Sequence, residues 1–153
     1  MAAYSRFVKN LDGKSNSVEM TFPVTSGVTV TAGDFVYFAS GRVSNASVAG
    51  ARLIGQAQGT VTGNVAGTVK ASVLVDDSAV FLVQGTTTVA AATVGQYFDL
   101  QGATGAQLVN IGSASATTGQ LVLLEANPQI EPVKGDVTYG LFGIAEHASH
   151  LGL

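Results

Sequence analysis

From Val18 onward, short apolar runs alternate with clusters of Gly, Ser, Asn and Asp, and almost every run has the length of a β-strand. Val18 to Phe22 alternates apolar and polar positions, the period of a strand buried on one face. Pro23 confines that strand to a sheet edge or places its end there, because proline offers no N–H to a neighbour. Val28 to Thr31 alternates again. The unbroken run Phe35 to Ala39, the pair Ser40-Gly41 and then Arg42-Val43 predict a hairpin. Leu53 to Ala57, Val69 to Val75, Val80 to Val83, Tyr97 to Leu100, Gln107 to Ile111, Gln120 to Leu124 and Tyr139 to Glu146 complete about ten strands, at the spacing of a sandwich or barrel.

Only Val89 to Val94 has a helical option, of one or two turns. Gly59 to Gly67, Gln101 to Gly105 and Ser113 to Gly119 read as loops, and no repeat of fixed period is visible. The prediction is an all-β, single-domain fold: a β-sandwich or jelly-roll-like barrel over residues 18–153, preceded by an extended N-terminal arm over residues 1–17. The arm ends in the turn-rich Asp12 to Ser17. It reads either as a frayed terminus or as a segment that docks on a neighbouring chain. Tyr4, Phe7, Val8 and Leu11 make it too apolar for a purely solvated tail.

Composition changes the picture at the surface. Only 11% of the 153 residues are charged and 46% are hydrophobic, against about 25% charged in an ordinary soluble domain. Such a chain cannot coat itself in the mixed charge that keeps a free monomer apart from its neighbours. Either much of its surface is buried against other subunits, or the chain is a secreted Ser/Thr-rich module. The net charge of −3 lacks the basic patch that nucleic acid requires. Arg6, Lys9 and Lys14 outnumber the acids of the first twenty residues. Seven acids face the single Lys134 beyond residue 70, an asymmetry that either orients docking or is scattered solubilising charge. The chain has no cysteine, which removes disulfides, thiolate metal sites and a cysteine nucleophile. No signal-peptide pattern and no membrane-length apolar stretch appear, so synthesis in a cytoplasm with no membrane partner is expected.

Candidate chemistry is sparse. His147 and His150 form E-H-x-x-H with Glu146 at the C-terminal end, without the third ligand that zinc needs. Asp76 and Asp77 are adjacent, so on a strand they point to opposite faces, and the simplest role for them is a turn. Asn45-Ala46-Ser47 fits a glycosylation sequon. No nucleophile elbow, phosphate loop or dinucleotide fingerprint is present. The expectation is that the protein is not an enzyme and uses no metal and no cofactor.

Three segments carry a resemblance. Thr31-Ala32-Gly33-Asp34-Phe35-Val36 followed by Ser40-Gly41-Arg42-Val43, Asp77-Ser78-Ala79-Val80-Phe81-Leu82-Val83-Gln84 followed by Val94-Gly95-Gln96-Tyr97-Phe98-Asp99-Leu100, and Ile144-Ala145-Glu146-His147 resemble the small head proteins of tailed phages. The resemblance implies a capsid decoration, or cement, protein that binds the outside of the phage head and stabilises contacts between capsomers. It also implies the major capsid protein as partner, a homotrimer and a place in the virion; that nucleic acid is no partner is expected from the charge alone. Asn127 to Pro132 and the tail Ala148 to Leu153 depart from the family pattern. Tyr4, Arg6, Phe7 and Lys9 of the arm are the candidate contacts to capsid or adjacent subunit. The alternative is a head-fibre, tail or host-surface adhesion module.

Overall fold

The computed structural model describes residues 5–11, 18–45, 51–76 and 78–145. The strands are β1 (Ser5–Asn10), β2 (Glu19–Pro23), β3 (Thr29–Val30), β4 (Phe35–Ala39), β5 (Arg42–Asn45), β6 (Leu53–Ala57), β7 (Val61–Thr62), β8 (Lys70–Leu74), β9 (Ala79–Gln84), β10 (Tyr97–Gln101), β11 (Leu108–Ser115), β12 (Leu121–Ala126) and β13 (Tyr139–Ile144). The fold is all-β. The helical option shrinks to one 3-10 turn, Ala91–Thr93, too short to nucleate an α-helix. Pro23 is the last residue of β2, and β2 is a sheet edge. The predicted hairpin joins β4 to β5, with Ser40 (φ 51°) and Gly41 (φ 78°) both in the left-handed region, as a two-residue hairpin turn requires.

Two sheets dominate, one of order β1-β9-β13-β12-β10-β11 and one of order β2-β8-β6-β4-β5; β3 and β7 form a small third. All strand pairings are antiparallel. With β1 set aside, the two large sheets repeat one another. In chain order β2, β4, β5, β6 and β8 correspond to β9, β10, β11, β12 and β13, and the spatial order is then the same in both.

The hydrogen bonds repeat as well. Gly33 N–H donates to Ala57 O at 2.8 Å and Ala57 N–H to Asp34 O at 2.8 Å; in the second sheet Gly95 N–H donates to Leu123 O at 2.8 Å and Leu123 N–H to Gln96 O at 3.0 Å. Thr25 N–H donates to Val43 O, and Thr86 N–H to Val109 O, each at 2.9 Å. Gly33 (φ 95°) and Gly95 (φ 89°) hold the same left-handed turn position, which a side chain would strain. The correspondence drifts along the chain, Val24 matching Gly85 but Val69 matching Thr138, so it has no fixed period.

Each sheet curls until the residue after its first repeated strand meets its hairpin edge, through the isolated parallel bridges Val24–Val43 and Gly85–Val109. No ladder continues from either bridge, so the sheets stay open and the barrel alternative gives way to two stacked, curled sheets. Inside the β2-β8-β6-β4-β5 sheet lie Val36, Val43, Ile54, Ala57, Ala71 and Val73, with Val24 and Val30. Inside the other lie Phe81, Val83, Phe98, Leu100, Val109, Leu121, Leu123 and Phe142, and onto these pack Phe35, Leu53 and Leu74 from the outer face of the first sheet. One sheet is thus seated in the other. Ile130 and Val133, from the segment between β12 and β13, cover the far face at Val80, Leu82, Tyr139 and Leu141. Being covered on both faces leaves β6 and β13 buried along their whole length, and β9 from Ala79 to Val83.

Equivalent positions are therefore unequal in energy. Phe81 and Met20 match by register, Phe81 opposite Phe142 and Met20 opposite Val73, yet Phe81 is 0% exposed and Met20 52%. Phe81→Ala is expected to cost about 3–5 kcal/mol in urea unfolding, and Met20→Ala less than about 1 kcal/mol. Equal losses would contradict this packing.

Candidate functional site

The arm residues come first. Ser5–Asn10 pairs with β9 of the same chain, with Arg6 opposite Leu82 and Phe7 opposite Phe81. That part of the arm docks in cis, as an edge strand. Phe7 is half-buried on the core and meets the Phe81 ring edge-on, centroids 6.2 Å apart. Arg6 donates to Glu131 O at 3.3 Å and lines an open groove of about 370 Å³ between β1, the Ala32-Gly33 turn and Gln56 to Gln58. Lys9 is exposed. Tyr4 lies outside the described residues. Arg6 and Lys9 thus remain at the surface, while Phe7 is committed to the interior.

Sequence reasoning missed the polar side chains that join the sheets. Gln107, buried just before β11, accepts from Phe35 N–H at 2.8 Å and donates to Phe35 O at 3.1 Å. Its amide does for β4 what a neighbouring strand would do. Gln120 accepts from Leu100 N–H at 2.8 Å and donates to Ala51 O at 2.8 Å. Gln56 donates to Ser5 Oγ at 2.8 Å and Gly33 O at 3.1 Å. The Asp34 carboxylate accepts from Thr31 N–H, Thr104 Oγ and Gly105 N–H, at the wall of a recess of about 30 Å³. A glutamine in a β-rich chain carries no sequence mark that separates such a buried clamp from a surface residue. The glycine before Asp34 and its place at a strand start were the only signals available.

A third feature is an uncovered apolar end. Phe38 and Phe22 meet edge-on at 5.2 Å, and Met20 and Val18, earlier on the same stretch as Phe22, are exposed. Phe38 is 42% exposed whereas its counterpart Leu100 is 2% exposed; the match follows from Phe38 opposite Val43 and Leu100 opposite Val109. In the second sheet Phe81, the counterpart of Met20, is covered by Phe7 of β1 and by Phe35 of the seated sheet. In the first sheet nothing among the described residues covers Met20 in this way.

Among the described residues the remaining candidates are not brought together. Asp76 Oδ1 accepts from Ser78 N–H at 3.0 Å and Ser78 Oγ at 2.8 Å, shaping the turn into β9. Asp77, Ala46, Ser47, Glu146, His147 and His150 lie outside the described residues. Among the described residues no cluster of three or more His, Cys, Asp or Glu is placed to hold a metal ion. Asp136 has its carboxyl held below the ordinary 3.8, first by the Thr138 hydroxyl and then by the Thr138 N–H, contacts that shape the entry to β13.

Gln107→Ala would leave both buried main-chain groups of Phe35 without a partner, and a loss of about 2–3 kcal/mol in urea unfolding is expected. Gln107→Glu keeps the acceptor but sets a carboxylate against Phe35 O, which raises the carboxyl pKa in the folded state. Protonation then favours folding, so the defect of this variant should shrink as pH falls through the raised value. A Gln107→Ala protein as stable as the parent would show that the clamp contributes nothing.

No protein-family model matches this chain, and no curated protein matches it.

Proposed function

We propose that the protein is a capsid decoration protein of a tailed phage, binding the outside of the head and stabilising contacts between capsomers. The observation that carries this reading is the uncovered apolar end around Met20, Phe22 and Phe38 in a chain only 11% charged. A surface of that kind is satisfied by burial against other protein, and repeated weak contacts around a symmetric shell add up through avidity. Within the described residues, the three resembling segments fall on elements that build the two sheets: the turn and hairpin of β4 and β5, strands β9 and β10, and Ile144 at the end of β13. Those residues serve the fold, so the resemblance speaks for a shared scaffold with a structural task. In this reading the partners are the major capsid protein and further copies of this chain, in the three-fold assembly the resemblance implies. The protein resides in the virion and performs no reaction. The exposed Lys9 and the surface-lining Arg6 on β1 are the proposed head contact. Phe7 contributes by holding that strand in place.

The test is co-sedimentation with expanded, decoration-free heads over a concentration series. Saturable pelleting at a fixed ratio to capsid subunits is expected. Lys9→Glu should weaken it about two- to fivefold, as loss of an exposed ion pair does, and more so at low salt. Failure to pellet with heads at any concentration would overturn the reading and favour the adhesion alternative.

A further inference from the structure

The internal repeat shows what the first sheet lacks. In the second sheet the outer edge of β9 is covered by β1. The corresponding strand is β2, and among the described residues no strand pairs with its outer edge. Val75 N–H donates to Val18 O and Val24 N–H to Val69 O, so the even-numbered residues of this stretch direct their main-chain groups at β8. By the alternation of an antiparallel ladder, Glu19, Thr21 and Pro23 direct theirs outward. Thr21 corresponds to Leu82, which pairs with Arg6 of β1; Met20 corresponds to Phe81, which stands opposite Phe7.

We infer that two copies of this chain pair through these edges, β2 antiparallel to β2, about a two-fold axis passing between their Thr21 residues. The strand is complementary to itself in that register. Thr21 faces Thr21 and exchanges both main-chain bonds. Met20 of each copy faces Phe22 of the other, as Phe81 faces Phe7 within the chain. Glu19 faces Pro23, so the acids do not oppose one another, and Glu19 N–H finds the Pro23 carbonyl. The proline withholds one bond on each side, which limits the edge to this short pairing and keeps it from templating long ladders. Met20, Phe22 and Phe38 of the two copies then close one another's open ends, and the two sheets become continuous. Such a contact is isologous and generates pairs. It takes up the apolar end around Met20, Phe22 and Phe38, so the head contact of the proposed function then rests on Arg6 and Lys9 of β1.

Sedimentation equilibrium of the full chain tests it. A self-association limited to dimers, or built of dimers, is expected. Thr21→Pro removes only outward N–H groups, so it should leave the circular dichroism spectrum and melting temperature near those of the parent while weakening the dimer more than tenfold. The chain has no cysteine, so Thr21→Cys introduces the sole thiol, and residues directly opposite in such a pair lie at about 5.5 Å between Cα atoms, within disulfide reach. Oxidation should link Thr21→Cys into dimers and leave the control Val65→Cys, 84% exposed elsewhere, unlinked. If Thr21→Pro fails to fold, the cross-link still decides. A monomeric parent, or an oligomer that forms no Thr21→Cys cross-link, overturns the inference while leaving head binding to its own test.

Discussion

The structure depends on one sheet being seated inside another. The second sheet's interior is large and aromatic, and it becomes dry only when Phe35, Leu53 and Leu74 arrive from the outer face of the first sheet and Phe7 arrives from β1. Phe35 stands at the centre of this contact. Its ring meets Phe81 edge-on at 5.0 Å, and both its main-chain groups are held by Gln107. The apolar contact supplies the attraction, and the glutamine clamps supply position, because a buried amide that misses its partner is costly. Gln56, Gln107, Gln120 and Asp34 each reach from one sheet, or its connections, to the other. The two sheets therefore cannot slide against each other without breaking buried hydrogen bonds.

A duplicated unit used twice in one chain need not play the same part twice. The second sheet, with β1 at its edge, the first sheet in its interior and Ile130 and Val133 on its far face, spends its apolar residues on stability. The first sheet fills its interior mostly with valine and alanine and leaves larger apolar side chains, Met20 and Phe38, at its open end. This division of labour accounts for the composition: a chain this poor in charge can be well packed and still present an apolar surface for assembly.

Much of this was legible in the sequence, and what was not has identifiable causes. Strand positions were readable because alternation and Gly-rich turns are local signals; β6 spans Leu53 to Ala57 as predicted, and the Ser40-Gly41 hairpin follows from its turn residues. β1 was hidden because its polar Ser5, Arg6, Lys9 and Asn10 obscure the period and a bulge after Phe7 breaks the alternation. β7 is two residues long within a turn-rich stretch, and β11 continues through Gly112 to Ser115, where small residues read as loop. The repeat escaped notice because equivalent positions share little beyond Thr25 with Thr86, Thr31 with Thr93, Gly33 with Gly95 and Val43 with Val109. Its signature is a hydrogen-bond pattern, which many side chains satisfy. The exposed end was invisible for another reason: Phe38 and Leu100 look alike in sequence, and only the covering elements distinguish them.

The position of β1 carries a consequence for how the chain is made. This strand is made well before its partner β9, which begins only at Ala79. Between the two, the entire first sheet is translated, with Phe35, Leu53 and Leu74 on a face that has nothing to rest on until the second sheet exists. Nascent chains therefore pass through a stage in which a strand and an apolar face both wait for residues not yet made. Contacts so distant in sequence form slowly, and such waiting surfaces are where partly folded chains adhere to one another. Production of this protein should accordingly be more sensitive to temperature and to the crowding of nascent chains than the stability of the finished fold would suggest.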